Sequence, residues 1–270
     1  MTNIMFWNIK QGSAANYLEH ACLENDVDVL IIAEDSTENG NVESILNRSS
    51  DNQLYFEYKP VPSLIKFFFK GTSELNLVSD VSDRVSVRSV KTKFGNTILI
   101  AGVHIPSKLH NEDVDQYYFS RRIKSSIEQA EMDNNNNKSI IIGDLNMNPF
   151  EHGVTAHDGL HGVMDKDVAL KISREYSGNE SGFFYNPMWS RLGDESDGPP
   201  GTYYYNKSGA VNYYWNTFDQ ILIRPSLLPY YTKDGLKILT KIGTTNLLKN
   251  NNIIESRVSD HLPIMLTLDH

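Results

Sequence analysis

Lys138-Ser-Ile-Ile-Ile-Gly-Asp-Leu-Asn146 decides how this 270-residue chain is read. The consecutive β-branched Ile140, Ile141 and Ile142 suit a strand covered on both faces, since alternate side chains then enter two apolar layers. Gly143 lets the backbone bend where the polar residues begin. Asp144 and Asn146 stand two apart, a spacing that on a strand or its extended continuation turns a carboxylate and a carboxamide toward one point. Ligands gather at such strand ends in layered α/β proteins. Gly, Asp and Asn are also turn formers, so this stretch alone leaves a site and an ordinary turn evenly matched.

Other strand ends break the tie. Residues 4–8 form a short apolar run ending in Asn8, and residues 27–34 form a second ending in Glu34. Gly102-Val-His104 closes a third, and Pro106 ends it by forcing extended or turn geometry. Thr217-Phe-Asp219 leads into Ile221-Leu-Ile223, and Ser259-Asp260-His261 leads into the apolar residues 262–268. Six segments therefore each carry a polar residue beside a buried-looking strand.

That ordered set resembles the endonuclease/exonuclease/phosphatase superfamily of deoxyribonuclease-like, metal-dependent phosphohydrolases. The resemblance runs from Asn8 through Glu34, His104, Gly143-Asp-Leu-Asn146 and Asp219 to Ser259-Asp-His261, nearly the whole chain. Ala33 stands before Glu34 where many members have Gln, and Gln220 follows Asp219 where many have Tyr; neither alters a group that does chemistry. His104 resembles the deoxyribonuclease and sphingomyelinase branches, since exonuclease III-like members often carry Tyr there.

The resemblance implies a four-layered α/β sandwich, two packed mixed sheets flanked by helices, as one domain over residues 1–270. It also implies a Mg²⁺-dependent phosphodiester hydrolase, with Mn²⁺ as a substitute ion. Glu34 is the first expected ligand, with Asn8 and Asp260 beside it, since a hard cation takes carboxylate oxygen and water. Asp144 is expected to orient or deprotonate the attacking water, Asn146 to donate to a phosphate oxygen, and His261 to bind the same phosphate. Asp219 would hold one nitrogen of His261 and favour its protonated form, while His104 would contact phosphate or protonate the leaving oxygen. A nuclease acting on nucleic acid or nucleotide is the first reading. The alternatives are a phosphomonoesterase, a lipid or nucleotide phosphodiesterase, or an inert binding module, which retention of every expected polar residue argues against.

Composition bounds the partners. With a net charge of −9 and 40% hydrophobic residues, the chain offers a sizeable core and no broad basic platform. Lys10, Lys108, Arg121, Arg122 and Lys207 are scattered, which predicts local recognition through the metal, the histidines and a few aromatics of residues 183–215. Tyr203, Tyr205 and Trp215 are the rings singled out there, although alternating aromatics are also ordinary sheet packing. The single Cys22 forms no intramolecular disulfide and falls among the apolar positions of an expected helix. No run of eighteen apolar residues occurs, and the first strand begins by Asn3, so the chain is expected to be cytoplasmic, with no integral membrane segment. Helices are expected over residues 14–23, 112–132 and 154–160, strands over 63–70, 84–93, 97–104 and 236–239, a hairpin turn at Phe94-Gly95-Asn96 and a loop tip at residues 250–252. His152, His157 and His161 fit no zinc spacing and read as scattered surface histidines.

Overall fold

The computed structural model describes residues 1–37, 41–49, 54–57, 63–71, 73–92, 95–108, 112–206, 210–249 and 253–269. The expectations for Phe94, Lys207 and residues 250–252 lie outside the described residues. Two large mixed sheets pack face to face with helices outside, a sandwich of four layers. The first comprises β1 (Thr2–Asn8), β2 (Val29–Ala33), β3 (Tyr55–Glu57), β4 (Ile65–Lys70), Tyr231–Ile238 and Ile264–Leu268. Its order is Tyr231–Ile238, Ile264–Leu268, β1, β2, β4, β3. The second runs β5 (Glu74–Ser82), β6 (Val85–Lys91), β7 (Thr97–His104), β8 (Ser139–Asp144), Asp219–Ile223, Phe184–Tyr185 and Gly162–Val163.

Parallel pairing occurs where a helix carries the chain back. α1 (Leu18–Glu24) joins β1 to its parallel neighbour β2; a second helix, Asp113–Asp133, joins β7 to the parallel β8. That long helix starts at Glu112, whose carboxylate and that of Asp115 form a capping box. Its buried stripe, Ser120, Ile123, Lys124, Ile127 and Ala130, recurs at helical spacing and faces the second sheet.

Strand alternation divides the interior. Ile140 and Ile142 join Ile4, Phe6, Ile31, Phe67, Ile98, Ile100, Ile221 and Ile223 between the sheets. Ile141 points the other way, to Leu99, Val103, Ile123 and Ile127 beneath the long helix. Met5, Trp7, Leu30 and Ile32 cover the outer face of the first sheet with Leu18, Ala21 and Cys22. The tri-isoleucine run is therefore apolar because both of its faces are covered.

Two local expectations change, and one hairpin is new. Residues 154–160 are not one helix: the helix is only His152–Thr155, after which Leu160 N–H bonds back to the Gly153 carbonyl and the chain turns. Gly153 and Gly159 weaken a continued helix there. His161 is not a surface histidine; it is 2% exposed, with Nδ1 3.0 Å from Ser181 Oγ. An unanticipated hairpin, Ser173–Tyr176 paired with Asn179–Gly182, turns at Ser177 and Gly178, both at positive φ. Among the described residues, no helix is long and apolar enough to cross a membrane.

Candidate active site

At one end of the space between the sheets, the inner face changes from hydrocarbon to polar groups. Asn8 continues the inward parity of Ile4 and Phe6, His104 that of Ile98 and Ile100, and Asp144 that of Ile140 and Ile142. Asp219 opens the antiparallel strand whose Ile221 and Ile223 face the same core. Register then aligns them: His104 lies opposite Asp144, and Asp144 opposite Asp219. Glu34 follows β2 in the left-handed region, φ 56°, a cost for a non-glycine residue that recurs at functional sites.

Hydrogen bonds knit these groups together. Asn8 Nδ2 donates to Glu34 Oε1 at 3.0 Å and to Asp144 Oδ2 at 3.2 Å, while its Oδ1 accepts from Lys10 N–H at 3.1 Å. Asn146 reaches Asp144 by a different route from strand periodicity. The strand stops at Asp144, Asn146 turns to φ 49°, and its backbone N–H donates to Asp144 Oδ1 at 2.9 Å. The Asn146 amide donates to the Ile105 carbonyl at 2.9 Å, leaving one of its two N–H groups for another acceptor.

His261 Nδ1 lies 2.9 Å from Asp219 Oδ2, and its Nε2 lies 3.8 Å from Asp144 Oδ2. Burial pulls the imidazole pKa down, but Asp219, Asp144 and Asp260 outweigh it and lift it to about 10. Burial also raises Asp219 to about 6, so at neutral pH the two form an ion pair. His104 differs: burial lowers its pKa despite Asp144 and Glu34, whose oxygens lie 3.8 Å and 3.5 Å from Nε2. Its buried Nδ1 has no hydrogen-bond partner among the described residues. Asp260 is half-buried and makes no hydrogen bond or ion pair among them.

Ligand atoms of Asp144, Asp219 and His261 all lie within 4.8 Å of one another, close enough to share one cation. His261, however, commits Nδ1 to Asp219 and holds its proton, which suits a proton-bearing pair better than a cation cage. Glu34 and Asp144 instead crowd two carboxylates onto one Asn8 amide, a concentration of negative charge that a divalent ion relieves.

Several supporting residues escaped sequence reasoning. Ser259 Oγ donates to the Asn8 carbonyl and accepts from His261 N–H, tying the last motif to the first. Trp7 packs outward in the core yet donates Nε1–H to the His261 carbonyl at 3.0 Å. Thr202 Oγ1 accepts from Asp219 N–H at 3.0 Å, and Gln116 Nε2 donates to the Asn146 carbonyl at 3.0 Å. Only Ser259 stood inside a recognised motif; a tryptophan in a strand and a glutamine in a helix carry no such signal. Of the aromatics, the Tyr203 ring lies 4.7 Å from His261 and stacks with Tyr205 and Phe218. Trp215 packs on Tyr204 against the outer core instead.

The fold is that of the endonuclease/exonuclease/phosphatase superfamily. Among solved structures, the chain is similar to an endonuclease/exonuclease/phosphatase family protein from Bacteroides thetaiotaomicron, at TM-score 0.60 and 12% identity, covering 98% of this chain and 96% of that one. An AP endonuclease from Archaeoglobus fulgidus aligns at TM-score 0.58 and 16% identity over 100% of both chains. The human Nocturnin catalytic domain with bound sulfate aligns at TM-score 0.56 and 14% identity, over 98% of this chain and 93% of that one. No family model matches the sequence, and no curated protein does.

Proposed function

We propose that the chain is a divalent-metal-dependent phosphodiester hydrolase, and that its substrate is nucleic acid. The observation that carries this reading is the meeting of Asn8, Glu34, His104, Asp144, Asn146, Asp219 and His261 at one polar end between the sheets. AP endonuclease and exonuclease activities named for proteins of this fold support the choice of substrate.

Glu34 would hold Mg²⁺ or Mn²⁺, with Asp260 beside it and Asn8 turning its amide oxygen over from Lys10. When bound, the ion neutralises phosphate charge and makes water more acidic. Asp144 orients the attacking water and takes its proton as the water oxygen bonds to phosphorus and the P–O ester bond breaks, the leaving oxygen taking up a proton from solvent water. His261, kept charged by Asp219, donates to a phosphate oxygen as negative charge builds, and the free Asn146 N–H donates to a second. His104, held neutral by burial, serves as a hydrogen-bonding group to phosphate rather than as the acid.

The test is hydrolysis of single- and double-stranded DNA, RNA, nucleotides, phosphoinositides and sphingomyelin with Mg²⁺, Mn²⁺ or chelator, by the parent and Asp144→Asn. Metal-dependent cleavage of oligonucleotides by the parent, lost in the variant, is the expected result. Cleavage confined to lipids or monoesters moves the substrate, and no hydrolysis of any ester reassigns the scaffold to binding.

A further inference from the structure

The long helix Asp113–Asp133 and the hairpin Ser173–Tyr176/Asn179–Gly182 enclose a cleft of about 1020 Å³ that contains none of the site residues above. At its floor Lys124 is 6% exposed, and its ammonium donates to the His157 carbonyl at 2.6 Å and to Ser181 Oγ. No carboxylate among the described residues lies within ion-pair distance of it. Glu128 and Asp158 act on it only from longer range and are themselves paired with Arg224 and Arg121, so the buried ammonium has no carboxylate of its own, an arrangement that a bound negative group would relieve. The same positive field, together with burial, pushes the neighbouring His161 down to about 4.

The lining is of mixed charge: Glu128, Asp158 and Glu180 belong to it, the first two paired with Arg224 and Arg121 and the third accepting from Ser173 Oγ. Arg122 and Arg174 line the cleft, and neither side chain makes an ion pair among the described residues. Exposed Tyr118 and Tyr176 line the same cleft as the cations, a combination of charge and flat rings that suits a single nucleic-acid strand. The cleft and the site are reached from one helix. Gln116, which holds the Asn146 carbonyl, immediately precedes Tyr117, whose ring meets His152 at 4.6 Å on the cleft wall. Arg122 lies roughly 9 Å further along the helix axis from Gln116.

We propose that this cleft is a second phosphate-binding subsite for the flank of a single-stranded nucleic acid whose scissile phosphodiester lies at Asp144. Lys124, Arg122 and Arg174 face its phosphates, and Tyr118 and Tyr176 its bases. The assignment rests on the nuclease reading above.

Steady-state hydrolysis by the parent and the surface double variant Arg122→Ala/Arg174→Ala tests it, on a long single-stranded oligonucleotide, a dinucleotide and bis(4-nitrophenyl) phosphate. The double variant should raise KM for the long strand about tenfold and lower its salt slope by roughly 1.4, the value for two lost single-strand phosphate contacts. Its kcat on that strand and both constants for the two short substrates should match the parent. Lys124→Met, checked for folding by circular dichroism, should raise the long-strand KM as well; if it does not fold, the arginine pair decides. An unchanged long-strand KM in the double variant overturns the subsite. A parent that hydrolyses the small ester but leaves oligonucleotides intact overturns the nuclease reading, and the subsite with it. Loss of phosphoinositide vesicle binding with unchanged oligonucleotide KM assigns the cleft to lipid instead.

Discussion

A Cβ on Gly143 would lie 1.9 Å from the Val103 carbonyl oxygen, so β7 and β8 can approach beside Asp144 only if this position has no side chain. Gly143→Ala should therefore cost more than about 3 kcal/mol or prevent folding, whereas Gly178→Ala, at φ 76° with open space around it, should cost about 1 kcal/mol. Urea denaturation of the two variants side by side measures the contrast. Asp219→Asn keeps the shape of the pair but removes the charge that holds the His261 proton. Turnover should fall by roughly 10²–10⁴ with the circular dichroism spectrum unchanged. Near-parent turnover would remove Asp219 from the mechanism. His161 sets a pH response of stability. Its folded pKa is about 4, from burial and Lys124, below the ordinary value of 6.5, so the unfolded chain takes up the proton first. Stability should fall as pH drops from about 6.5 toward 4, with no contribution above that window. His161→Asn, which can keep the bond to Ser181, should show a shallower fall in denaturation midpoint between pH 7 and pH 5.

At the scale of elements, the strand pair Tyr203–Tyr204 and Trp215–Asn216 presents two different faces. Tyr203, stacked with Tyr205, lies against His261; Tyr204 and Trp215 pack on the outer core of the first sheet. Trp215→Ala should then lower stability by about 2–3 kcal/mol and leave KM unchanged, while Tyr205→Ala should raise KM and change stability by less than about 1 kcal/mol. The reverse pattern, read from melting and kinetics on the same preparations, would exchange their roles. These elements also mark what a sequence discloses. Tri-isoleucine announced β8 because burial on both faces leaves a composition that a surface strand cannot have. The hairpin Ser173–Gly182 carried no such mark, since its strands are largely exposed and only Ser177-Gly178 signals the turn. Asn146 was found for an incomplete reason. Its distance from Asp144 along the chain was right, but a left-handed turn and a backbone hydrogen bond bring them together, and neither is visible in a two-residue spacing.

For the whole molecule, the site is a property of sheet packing rather than of any one motif. Asn8 and Glu34 end strands of the first sheet, while His104, Asp144 and Asp219 lie on the second. Order along the chain revealed the constituents; the face shared by Ile4, Phe6, Ile140, Ile142 and Ile221 explains why they meet. Thr202, Trp7 and Gln116 could not be read in advance, because each acts through a backbone group whose position only the packed sheets determine. Under the proposed function, a chain of net charge −9 would need a cation to bring a phosphate to Asp144 and Glu34. The most direct check is the rate of bis(4-nitrophenyl) phosphate hydrolysis as Mg²⁺ is titrated into the parent and into Glu34→Gln. The rate should saturate with Mg²⁺ in the parent, vanish reversibly with chelator, and need at least about tenfold more metal in Glu34→Gln. Hydrolysis that persists in chelator, or one titration curve for both proteins, would rule out Glu34 as the ligand of a catalytic ion.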